Sequence, residues 1–187
     1  VGAGMEMLKA LDTLNVEFQK KGWPHIKIGV GINTGQMSVG NMGSKFRKAY
    51  TVLGDAVNLG SRLEGITKMY GVSFVVSEDT AHSAGRWAYR ELDKVRVKGK
   101  DQGVTIYEPL GLEEELPAEI LERARAFKQF LGHYRSQEWD EGEEILHRLL
   151  EDEPDCFLYT LYLERIAHFR ENPPGDDWDG VFTFQTK

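Results

Sequence analysis

The most constraining stretch of this chain is Gly29 to Gly71, GVGINTGQMSVGNMGSKFRKAYTVLGDAVNLGSRLEGITKMYG. Upstream and into it, Ile26, Ile28, Val30 and Ile32 alternate, which is strand periodicity. Gly29 and Gly31 fall on the other face. Glycine weakens a strand unless something must approach the backbone closely, and a packed helix or a second protomer would meet that need. Asp55 to Tyr70 reads as a helix: Asp55 in the first turn suits the positive end of the dipole, and Gly71 follows as a C-terminal cap. Leu59, Leu63, Ile66 and Tyr70 form its core stripe. Asn58 and Arg62, four apart, share a different face. Ala56, Gly60 and Ser61 are small enough to admit a neighbouring backbone.

Further elements interleave around this stretch. Met5, Leu8, Leu11 and Phe18 predict an amphipathic helix over 3–21, ended by Gly22 and Pro24. Gln36 to Val39 reads as a short strand and Gly40 to Ser44 as a loop. Val72 to Val76 is an apolar strand, and Ser77 opens a short helix to Ser83 with a Ser-x-x-Thr cap. Trp87 to Val97 and Val104 to Tyr107 complete an α+β pattern. Beyond Leu112 the chain becomes helical, with stretches at 118–134, 138–151 and 156–170 that resemble a single tetratricopeptide-like helical hairpin. Pro173 to Val181 reads as irregular chain pinned by Trp178. The division is therefore 1–112 and 113–187.

Charge follows the same division. Residues 113–187 hold 19 acidic and 8 basic residues, leaving 11 acidic and 15 basic in 1–112. The first part suits an anionic substrate such as a nucleotide; the second does not, and a solvated acidic face is its simplest account. No apolar run approaches the roughly 18–20 residues of a membrane span. Cys156 is the only cysteine, which excludes an intrachain disulfide and fits a reducing compartment. There is no signal-peptide pattern and no initiator Met, so the expectation is that Val1 lies inside a longer protein. Gly35 and Gly40 have the glycine spacing of a P-loop, but Asn41 stands where lysine is needed, and no GxGxxG opens a helix. Turn glycines account for them better.

The order and spacing of IGVGINTG, VGNMGS, YTVLGDAVNLGSRLEG and ELDKVRVKGK followed by IYEPLG resemble the C-terminal half of a class III nucleotidyl cyclase catalytic domain. The run is similar to bacterial adenylate cyclases, and the tail ending in DDWDGV resembles the extension that follows the domain in that group. The resemblance implies part of a ferredoxin-like domain, a sheet with packed helices, and conversion of ATP to 3′,5′-cyclic AMP and pyrophosphate. It further implies that Arg62 is the guanidinium facing the transition state, Asn58 orients the ribose, Lys98 contacts the terminal phosphates and Thr51 reads the purine edge. A hydroxyl at Thr51 can accept from the adenine amino group, whereas guanylyl cyclases carry cysteine there.

Taken alone, these residues are ordinary: a solvated helix face, a turn charge in Lys98-Gly99-Lys100, and a strand threonine. The resemblance gives them roles. It also implies Mg²⁺ or Mn²⁺ in the complete domain, a homodimer with the site shared between protomers, a cytoplasmic setting with a membrane-anchored parent, and a protein partner for the tail; no nucleic-acid partner is implied. The family's metal aspartates lie in a Phe-x-Asp-x-x-Gly-Phe segment and an earlier Gly-Asp segment, neither of which occurs in this sequence. Asp55 belongs to the later motif. No metal ligand is therefore assigned, and the 187 residues alone are expected to be inactive. Guanylate cyclase and a degenerate, non-catalytic cyclase-like module are the alternatives.

Overall fold

The computed structural model describes residues 1–44, 47–96, 103–175 and 177–183. Helix α1 (Gly2–Lys20) leads into strand β1 (Val30–Ile32). The strand is shorter than the alternation predicts, and its absent first half has a specific cause. The Asn15 side chain on α1 donates to the Ile26 carbonyl at 2.9 Å and accepts from the Ile26 N–H at 2.9 Å. Both backbone groups that a neighbouring strand would use are thereby taken.

A second departure concerns the glycine-rich segment. Residues 40–43 are not a loop: strand β2 (Ser38–Gly43) pairs antiparallel with β3 (Lys48–Leu53), from Ser38 opposite Leu53 to Gly43 opposite Lys48. Glycine reads as a turn residue in sequence, but here Gly40 and Gly43 are ladder positions, with the connection confined between Gly43 and Lys48. This hairpin stands apart from the main sheet.

Helix α2 (Asp55–Tyr70) has the predicted bounds, and Gly71 caps it at φ 67° in the left-handed region. Strand β4 (Phe74–Ser77) is wholly buried. The Ser77 side chain accepts from the Thr80 N–H and caps α3 (Glu78–Ser83). Strands β5 (Trp87–Arg96) and β6 (Val104–Leu112) form a long antiparallel pair. β6 runs five residues beyond the predicted Tyr107 because register shifts after Ala88 and after Glu91 let Pro109 pair opposite Tyr89.

The tail forms α4 (Ala118–Arg135), α5 (Trp139–Asp152) and α6 (Phe157–Glu171), within a residue of the predicted spans. Trp178 packs on Tyr134, Phe169 and Trp139, with ring centroids 5.1–6.1 Å apart, as the pinning tryptophan requires. The chain then adds a strand that sequence did not reveal, β7 (Phe182–Thr183), parallel to β5. The five-stranded order is β1-β4-β6-β5-β7. One continuous core joins Leu59, Leu63 and Ile66 of α2 with Leu92 and Val95 of β5 and with Phe127, Phe130, Tyr162 and Ile166 of the tail. No helix among the described residues is long and apolar enough to cross a membrane.

Candidate active site

Helix α2 organises the site by facing two ways. Its stripe Leu59, Leu63, Ile66 and Tyr70 is buried, which turns Asn58 and Arg62 outward together; both are exposed. The seat is built from glycine. A Cβ at Gly31 would overlap the backbone nitrogen of Glu64 and come within 2.5 Å of the Gly60 carbonyl. Of the two reasons for glycine in β1, the packed helix is the one found.

The first turn of α2 has its own seat. Asn33, just beyond β1, donates from Nδ2 to the Ala56 carbonyl at 2.9 Å. Its Oδ1 is buried without a hydrogen-bond partner among the described residues. A Cβ on Gly35 would stand 2.8 Å from the Ala56 Cβ, so the small residues at 35 and 56 let segment 33–35 lie against the helix. Thr34 and Thr80 share a hydrogen bond at 3.0 Å, and Thr80 Oγ1 donates to the Ile32 carbonyl at 3.4 Å. Sequence reasoning read Thr34-Gly35 only as a turn. The signal that could have found the seat is Asn33 flanked at two residues by Gly31 and Gly35, with the small Ala56 in the first turn of the helix.

Thr51 is exposed on β3, opposite Gly40, and reaches α2 through Gly54, whose φ of 152° sets the turn into the helix. Lys98 lies outside the described residues. Asn58 and Arg62 are thus brought together one turn apart, and Thr51 lies four residues before the helix they share. A guanidinium and an amide held this way on an open helix face can bind an anion and a polar sugar edge at once.

A divalent cation does not fit the described residues. No group of three or more His, Cys, Asp or Glu among them is arranged to hold one, and Asp55 is an exposed first-turn residue of α2.

The opposite end of α2 is tied into the tail. The Tyr70 hydroxyl donates to Asp93 Oδ2 at 2.6 Å, and Arg165 of α6 donates to the same oxygen at 2.7 Å and to the Tyr70 hydroxyl at 3.3 Å. All three residues are buried. Burial, and then the Asp93 charge, push the Tyr70 hydroxyl well above the usual tyrosine range. Tyr162 of α6 donates to the Leu92 carbonyl at 2.7 Å.

The comparisons with known proteins bear on the family of the chain. The chain is 40% identical over 114 residues to an adenylate cyclase of Anabaena cylindrica, covering 57% of this chain and 23% of that one. It is 37% identical over 103 residues to adenylate cyclase 1 of Rhizobium meliloti, covering 54% and 16%. It therefore spans less than a quarter of the length of these curated relatives. Among solved structures it resembles the guanylyl cyclase Cya2, at 34% identity and TM-score 0.52, covering 60% of this chain and 56% of that one. It also resembles the adenylyl cyclase CyaB from P. aeruginosa, at 31% identity and TM-score 0.53, covering 61% and 58%. The family model for the adenylate and guanylate cyclase catalytic domain matches residues 1–108, and the chain belongs to that family.

Proposed function

We propose that this chain is part of an adenylate cyclase that converts ATP to 3′,5′-cyclic AMP and pyrophosphate, with residues 1–112 as the catalytic part and 113–187 as its extension. The observation that carries the reading is the outward, one-turn pairing of Asn58 and Arg62 on a helix whose other face is buried. In the reaction the ribose 3′-oxygen forms a bond to the α-phosphorus, the bond to pyrophosphate breaks, and the hydroxyl proton passes to solvent water. Negative charge grows on the non-bridging oxygens of the α-phosphate. Arg62 donates to them, most strongly as that charge develops. Asn58 holds the ribose so that its hydroxyl is in line. Lys98 neutralises the terminal phosphates, and Thr51 accepts from the adenine amino group.

ATP as substrate is supported by relatives named adenylate cyclases and by threonine rather than cysteine at position 51. The guanylyl cyclase among the structural neighbours is the specific reason to test GTP beside ATP. The Mg²⁺ or Mn²⁺ of the family would be held by aspartates of two segments that this sequence does not contain, so the 187 residues alone are expected to make no cyclic AMP. A homodimer completes the site. The hairpin β2–β3 supports this, because Met37, Val39, Tyr50, Val52 and Leu53 present apolar side chains to solvent there. The protein is assigned to the cytoplasm, with a membrane anchor in its parent, and the extension to a protein partner.

The test is Arg62→Ala in the natural full-length protein, with cyclic nucleotide measured from ATP and from GTP. Turnover is expected to fall by about a hundredfold or more with the fold intact, as when one charge-stabilising donor is lost. Near-normal turnover would remove Arg62 from the reaction. A preference for GTP would make the protein a guanylate cyclase.

A further inference from the structure

Helix α2 is seated by two different parts of the chain. Its first half lies on the sheet and the segment after it, through Gly31, Gly35 and Asn33. Its last residue and its cap are held by α6. Arg165 and Tyr70 converge on Asp93, the Arg165 guanidinium lies 5.2 Å from the Tyr70 ring centre, and a Cβ at Gly71 would stand 2.6 Å from the Phe157 ring. Residues Phe157 and Arg165 both fall outside the stretch that the family model matches, 1–108. The extension thus holds the C-terminal end of the helix that presents Asn58 and Arg62, together with Asp93 of β5.

We propose that α6 is a positioning clasp for the cyclase site, with Arg165 acting through Asp93 and Tyr70 to fix the setting of α2. The proposal rests on the reading of Asn58 and Arg62 given above. Arg62 stands eight residues from Tyr70, about 12 Å along the helix axis, so a small tilt released at Tyr70 is carried to the guanidinium. A misplacement of about 1 Å can cost a hundredfold in rate. Substrate binding also draws on contacts away from α2, so the loss should fall on kcat rather than KM. Arg165 and Tyr70 are positioning residues and touch no substrate.

The test compares variants of the natural full-length protein. Tyr70→Phe deletes one hydroxyl and keeps the ring in the core. Its kcat with ATP is expected to fall about tenfold with KM within about twofold, a partial form of the misplacement penalty. Amide exchange over residues 64–70 is expected to quicken while exchange in α5 stays unchanged. Leu146→Val trims the buried core of α5 away from this contact and is expected to keep kcat. Unchanged kcat and unchanged exchange in Tyr70→Phe, with Arg62→Ala inactive, would overturn the clasp and leave the site reading standing. An equal fall in Leu146→Val would overturn it as well, because lost stability alone would then explain the effect. Full activity in Arg62→Ala would overturn the site reading and with it the catalytic consequence of the clasp.

Discussion

Around Asp93 every polar atom has a use. Oδ1 accepts from the Lys94 N–H at 2.7 Å, and Oδ2 accepts from both Tyr70 and Arg165. Burial works against the Arg165 charge, but Tyr70, Tyr162 and Asp93 around it more than offset this and hold its pKa above the usual arginine value. Asp93→Ala leaves that guanidinium buried with its carboxylate gone. It is expected to cost about 3–5 kcal/mol, since breaking a buried ion pair from one side strands the other charge. Chemical denaturation of the chain would measure it, and a loss below 1 kcal/mol would mean that water reaches the site. Arg62 is the opposite case at the same scale: exposed, on the outer face of its helix. An exposed charge contributes little to stability, so losing Arg62 should lower turnover far more than stability.

Among the elements, α2 and β1 depend on each other most closely. Gly31→Ala would drive a methyl into the backbone of Glu64 and Gly60. Backbone cannot rotate aside as a side chain can, so about 1–3 kcal/mol should be lost. The same loss should lower the melting temperature of the chain, whereas Gly65→Ala, with nothing within 4 Å of its Cβ, should not. Helix α2 was legible in the sequence to its last residue, because Asp55, the buried stripe and Gly71 are local signals. The exposed Asn58 and Arg62 were legible for the same reason. Elsewhere the deciding residue was distant. Ile26 has a strand's pattern, yet Asn15, eleven residues earlier, takes its backbone groups. Gly40 reads as a turn until Thr51 is placed opposite it. Asn33 became part of the site only once Ala56 was seen beside it, and nothing in residues 173–183 announces that their end pairs with β5.

For the molecule as a whole, tyrosine ionisation gives a direct test of how far sheet and extension form one core. Burial raises the hydroxyls of Tyr70, Tyr134, Tyr159 and Tyr162, pushes Tyr107 up to about 12 and raises Tyr89. In the unfolded chain all would ionise near pH 10. Above that pH the unfolded state binds fewer protons than the folded one, so stability falls as pH rises. Below it these groups are neutral in both states and contribute no pH dependence. With the exposed Tyr50 replaced by Phe, absorbance near 295 nm should therefore rise late, together with loss of helix signal. A gradual rise near pH 10 with the helices intact would contradict the shared core. The short strand β7 has a different consequence. It covers β5 at Val95 and Arg96, beside the Arg96–Asp179 ion pair at 2.7 Å. Any trimmed version that ends before Asp179 uncovers the backbone of β5 at Val95 and Arg96, at the rim of the sheet. An uncovered edge invites pairing with another chain, so removal of the last few residues is expected to lower solubility.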